Sequence, residues 1–100
     1  MHAAPRLNYA EMHRMLNVRT YKVEFETDRE TGDIVVSIPT LNYTADFGRT
    51  VEEALRNLQR LASGFVRCLA HEGERLPPSD RPGEGVFISL RVPRSLASTR

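Results

Sequence analysis

Between Thr20 and Leu69 the apolar residues recur first at every second position, in three short runs, and then at every third or fourth position over one long run. Period two is the signature of half-buried strands, and period 3.6 that of an amphipathic helix. Tyr21, Val23 and Phe25 alternate with Lys22, Glu24 and Glu26. Asp28 to Asp33, with Gly32 near its end, has the composition of a hairpin turn. Ile34, Val36 and Ile38 form the inward row of a second strand, which Pro39 ends because it cannot donate to a ladder. Tyr43, Ala45 and Phe47 alternate with Thr44 and Asp46 in a third strand, stopped by Gly48.

The helix that follows is written out from its first residue. Thr50 stands at the N-cap and Glu53 at the reciprocal position of a capping box. Val51, Ala54, Leu55, Leu58, Leu61, Ala62, Phe65, Val66 and Leu69 make one stripe, with Glu52, Arg56, Gln59, Arg60 and Arg67 opposite. Each large member of that stripe contributes about 1.5–3 kcal/mol when buried. Backbone ordering opposes this by about 1–2 kcal/mol per residue, so the helix needs the sheet. Gly64 costs roughly 1 kcal/mol inside a helix and suggests a close approach there. His71 and Gly73 mark the C-terminal end. Leu76 to Gly85 is a Pro/Gly-rich connector. Val86, Ile88, Leu90 and Val92 then alternate with Phe87, Ser89 and Arg91 as a fourth strand, ended by Pro93.

The expected fold is α+β, β-β-β-α-β, with a three-stranded antiparallel sheet, a fourth strand in the order 3-2-1-4, and the main helix on one face. Residues 20–92 form the domain. Residues 1–19 are a tail with a short helix over 9–17, capped at Asn8 and carrying Tyr9, Met12 and Leu16 at helical spacing. Residues 93–100 are a C-terminal tail. One hundred residues make one domain, and a domain this small often gains stability by oligomerising.

A net charge of +1, with 27% charged residues, gives no footprint for nucleic acid and no polybasic membrane patch. No apolar run reaches the ~20 residues of a membrane span, and the N-terminus has no secretory core segment. The single Cys68 excludes an internal disulfide and favours a reducing compartment, so a cytoplasmic location is expected. His2, His13 and His71 are scattered, and none is four residues from another, so no metal set is read from them. Cys68 flanks the apolar stripe and reads as a partly buried, inert thiol. No serine has a nucleophile-elbow context, and Gly83-Glu84-Gly85 is not a phosphate loop. Glu24, Glu26, Asp28 and Asp46 would serve a two-metal nuclease only if they converged, and their alternation with Lys22 reads instead as a solvated outer face. Neither catalytic residues nor cofactors are therefore assigned. The expectation is a binding module, with Phe87, Ser89 and Arg91 on the last strand and Tyr9, Met12 and Leu16 on the short helix as the partner surfaces.

Four pieces in this order resemble the HicB antitoxin family of type II toxin-antitoxin systems and its solitary relatives. They are Tyr21-Lys22-Val23-Glu24-Phe25, Gly32-Asp33-Ile34-Val35-Val36-Ser37-Ile38-Pro39, Gly48-Arg49-Thr50-Val51-Glu52-Glu53-Ala54-Leu55, and Leu76-Pro77-Pro78-Ser79. The resemblance implies a truncated ribonuclease-H-like fold without the catalytic acids. It also implies a partner, a small mRNA-cleaving HicA-like toxin with a double-stranded-RNA-binding-like fold. Thr40 stands where many members have Asp, and Asn42 to Asp46 lacks a Gly often found before the third strand. Full-length members add a C-terminal DNA-binding domain, for which Val92-Pro93-Arg94-Ser95-Leu96 resembles only the lead-in. A solitary or truncated member is thus expected, self-associating as a dimer or tetramer and not bound to DNA. A double-stranded-RNA binder with the same element order is the alternative. It is disfavoured because Glu52 and Glu53 stand where such modules present cations to phosphate.

Overall fold

The computed structural model describes residues 17–92. The short helix expected over 9–17 and the tail from 93 fall outside that range, apart from Asn17, which sits in a turn with φ 53°. Strand β1 runs Val18–Thr27, β2 Ile34–Ile38 and β3 Thr44–Gly48, with a 3-10 turn at Pro39–Leu41 between the last two. Helix α1 spans Val51–His71 and β4 spans Val86–Arg91. All neighbours in the sheet are antiparallel, and the order is β3-β2-β1-β4. The α+β fold and the strand order are those the alternation predicts.

β1 is the long strand because its two halves have different partners. Glu24 to Thr27 pair with Ile34 to Ser37 of β2, and Val18 to Val23 pair with Val86 to Arg91 of β4 on the other edge. The β1–β2 turn is built on Asp28, whose Oδ1 accepts from the Glu30 and Thr31 amides at 2.8 and 3.1 Å, with Gly32 at φ 76°. These bonds hold the Asp28 carboxyl below the usual carboxylate range, the Thr31 amide most and the Glu30 amide next.

Thr50 Oγ1 accepts from the Glu53 amide at 3.0 Å, as a capping residue should. The Glu53 carboxylate reaches back one residue further than the ordinary box, to the Arg49 amide at 2.6 Å. At the other end the Gly73 amide donates to the Ala70 carbonyl (3.1 Å) and the Glu74 amide to the Leu69 carbonyl (2.9 Å), a Schellman motif with Gly73 at φ 75°.

The core lies between α1 and one face of the sheet. Ala54, Leu58, Ala62, Val66 and Ala70, each four residues from the next, are the buried line of the helix. Three of the five are alanines, which lets the helix lie close to Tyr21, Val36, Ile38, Ile88 and Leu90. The buried stripe is narrower than the sequence pattern. Leu55, Phe65 and Leu69 pack at its margins, while Val51 and Leu61 are each 46% exposed.

Two further readings change. Among the described residues a Cβ at Gly64 would meet nothing within 4 Å, so no described element approaches it. The close approach is at Gly48, where a Cβ would stand 2.5 Å from the Ala54 nitrogen. Gly48 is therefore part of β3 and turns toward the helix start. Parity then carries Asp46 and Thr44 to the helix side, opposite Val36 and Ile38, and turns Phe47 and Ala45 to the outer face.

Candidate protein-binding surface

The face of the sheet away from α1 carries the even-numbered residues of β1 and the odd-numbered residues of the other three strands. Phe47, Val35 and Glu26 form one cross-strand row, and Ala45, Ser37 and Glu24 the next. Lys22 lies opposite Phe87, Thr20 opposite Ser89 and Val18 opposite Arg91. Phe47 is 57% exposed, Phe87 is half-buried, and Ser89 and Arg91 are exposed. The three β4 residues expected at a partner surface thus share one face. Tyr9, Met12 and Leu16 lie outside the described residues. Phe47 was hidden in the sequence by the parity that Gly48 reverses.

The four acidic residues considered for metal chemistry are not brought together. Glu24 and Glu26 are on the outer face, Asp46 is on the helix face, and Asp28 is in the turn. Among the described residues no group of three His, Cys, Asp or Glu side chains could hold a metal ion. Cys68 is exposed rather than partly buried, because it falls beyond the narrowed stripe. No described helix is long and apolar enough to cross a membrane.

A strap replaces β2 beside the first half of β1. After α1 the chain returns through Leu76, which is buried, and lays residues 77–80 along the edge that β2 leaves free. The Thr20 amide donates to Ser79 Oγ at 2.9 Å, the Asp80 amide to the Thr20 carbonyl at 2.9 Å, and the Lys22 amide to Asp80 Oδ2 at 2.7 Å. Asp80 Oδ1 accepts from the Thr40 hydroxyl at 2.6 Å. The buried Tyr21 hydroxyl donates to the Pro77 carbonyl at 2.7 Å, and burial raises the pKa of that phenol. The Pro-Pro-Ser-Asp run is thus an edge cover, and Thr40 is its anchor.

Two open hollows flank the strap. One, of about 490 Å³, is lined by Pro39, Leu41, Tyr43, Phe65, Leu69 and Arg75 among others. At its rim Asn42 and Tyr43 both hold φ 56°, a conformation costly for a tyrosine, and Tyr43 is 71% exposed. The second, of about 690 Å³, is lined by Asn17, Val18, Arg19, Arg75, Leu76 and Ser79 among others. Arg19 Nη1 donates to Asn17 Oδ1 at 3.1 Å, and its buried Nε has no hydrogen-bond partner among the described residues.

The geometry offers an outer face on which Phe47 shares a cross-strand row with Glu26 and Phe87 one with Lys22, two sheet edges, and an aromatic-rimmed hollow. These are means of binding a protein surface. No model of a known protein family matches the chain, and no curated protein matches its sequence.

Proposed function

We propose that this chain is a non-catalytic protein-binding module of the HicB antitoxin kind, which binds and neutralises a small mRNA-cleaving, HicA-like toxin and also self-associates. The observation that carries the reading is the one-sided roofing of the sheet. Helix α1 covers the face of Tyr21 and Ile88, and the opposite face keeps Phe47 57% exposed, across Val35 from Glu26, with Glu24 in the next row. A protein that grips mRNA must present cations to phosphate. The end of this face that carries Glu24, Glu26 and Phe47, away from Lys22 and Arg91, complements such a surface, and a stable complex buries roughly 800 Å² per partner. The same acidic groups disfavour duplex RNA as the ligand of this face. The sequence resemblance supplies the class of partner, and the order of its four pieces supports it.

The test uses the full chain as bait in its native host, with mass spectrometry of what is retained. The expected catch is a small basic protein whose expression alone arrests growth and whose arrest this chain relieves. Recovery of the bait alone would overturn the toxin reading. The second reading, a solitary module that only self-associates, is favoured by the β4 edge, which no other described strand pairs.

A further inference from the structure

The two outer edges of the sheet are closed to different degrees. In β1 the Thr20 and Lys22 backbone groups turn to the strap, so those of Tyr21 and Val23 turn to β4. Their partners Ile88 and Val86 turn back, which leaves the backbone groups of Phe87, Ser89 and Arg91 pointing off the edge. By the same alternation Ala45 and Phe47 point off the edge of β3, and Phe47 is the one with described side-chain partners. There both of its groups are met: its amide by Asp46 Oδ1 at 2.8 Å, its carbonyl by Asn57 Nδ2 at 2.8 Å. On β4 the Ser89 carbonyl alone is met by a described side chain, Gln59 Nε2 at 3.3 Å, and it keeps a second lone pair. A six-residue strand whose outer edge no other described strand pairs is a template for another strand.

The sequence of β4 selects its own copy as that strand. Placed antiparallel with Ser89 on a two-fold axis, Ser89 faces Ser89 of the second copy, and Phe87 and Arg91 face each other twice. Arg against Phe is a favourable cross-strand pair, and no like charges meet. Ile88 faces Leu90, which continues the buried apolar row of each sheet on the helix side. The three residues whose backbone points off the edge are those that become the hydrogen-bonded pairs in this register. We infer that two copies join β4 to β4 across Ser89, making one continuous sheet from two four-stranded ones. The interface rests on the self-association part of the function proposed above and is independent of any toxin.

Light scattering of the full chain reads the mass, with 11.4 kDa as the single-copy value. The wild type is expected at twice that mass. Ser89→Lys and Ser89→Glu, each alone, put like charges on the axis and are expected to halve the mass. An equimolar mixture of the two variants is expected to restore it, because Lys then faces Glu. A wild type that stays at the single-copy mass overturns the inference. So does a dimer that survives both substitutions, or folded variants whose mixture stays monomeric. Far-UV circular dichroism checks the fold of each variant. Should either unfold, Ser89→Cys in a Cys68→Ser background carries the test. Hydrogen-bonded cross-strand Cα atoms stand about 5.5 Å apart, within disulfide reach. A disulfide dimer under mild oxidation supports the axis, and a persistent free thiol overturns it. The toxin reading is judged separately by the bait experiment, so either can fail without the other.

Discussion

Asn57 donates its side-chain amide to the Phe47 carbonyl at 2.8 Å, so the helix that roofs the sheet also meets the edge of β3 at Phe47. Gln59, two residues on, reaches the opposite edge at the Ser89 carbonyl over 3.3 Å. The shorter bond is the one that matters for stability. Asn57→Ala is expected to cost about 1 kcal/mol, the net worth of one such bond, and Gln59→Ala less than half of that. Urea unfolding at neutral pH checks both. Equal losses at the two sites would contradict the asymmetry of the edges.

The strap depends on Asp80, because one carboxylate ties β1 to the turn after β2 through Lys22 and Thr40. Asp80→Ala removes two bonds to a charged acceptor and is expected to cost about 2–3 kcal/mol. Tyr21→Phe removes the donor to the Pro77 carbonyl and is expected to cost about 1–2 kcal/mol. Hydrogen exchange adds a local readout. In both variants the Thr20 and Lys22 amides, which face the strap, should lose protection while the Val36 amide keeps it. Unchanged exchange at Thr20 and Lys22 would mean the strap is not held by these contacts.

Much of this fold was legible from periodicity, because one face of each strand is buried and the alternation states which. Tyr21, Val23, Val36, Ile38, Ile88 and Leu90 all fall on the predicted inward rows. β3 misled because its outer face is the apolar one. Phe47 and Ala45 look like core residues, yet Gly48 must face the backbone at Ala54 and sets the parity for the whole strand. The strap was illegible for another reason. Its bonds join Ser79 and Asp80 to Thr20 and Lys22, nearly sixty residues away, and nothing local in Pro-Pro-Ser-Asp announces them. The alternation puts Phe87, Ser89 and Arg91 on an outward row, as the pairing with β1 shows, and only the hydrogen-bond directions of its neighbours single out the β4 edge.

The turn at Asp28 makes stability pH-dependent. Its carboxyl titrates lower in the folded chain than in the unfolded one, so the carboxylate form favours folding. That contribution is complete above the unfolded pKa and is lost as pH falls through the folded one. The stability gap between wild type and Asp28→Ala should therefore be constant near neutrality and shrink on acidification below the ordinary carboxylate range. Urea midpoints measured along that series give the gap directly. A gap that does not change with pH would show that the Thr31 and Glu30 amides do not depend on the charge.

Two glycines give opposite outcomes for the same substitution. At Gly64 an added Cβ meets no described atom within 4 Å and the backbone is helical, so Gly64→Ala reduces the freedom of the unfolded chain. It is expected to stabilise the protein by about 0.5–1 kcal/mol. At Gly48 the same Cβ would stand 2.5 Å from the Ala54 nitrogen and 2.9 Å from the Glu53 carbonyl carbon, both backbone atoms that no rotamer can move aside. The first turn of α1 would have to lift off β3, straining the Thr50 cap and the Asn57 bond together. Gly48→Ala is expected to cost about 1–3 kcal/mol, the range for forcing extra atoms into a filled site. Thermal melts of the two variants beside the wild type should therefore shift in opposite directions. A Gly48→Ala protein that melts with the wild type would mean the helix start does not rest on β3, and with it would go the parity that turns Phe47 to the outer face.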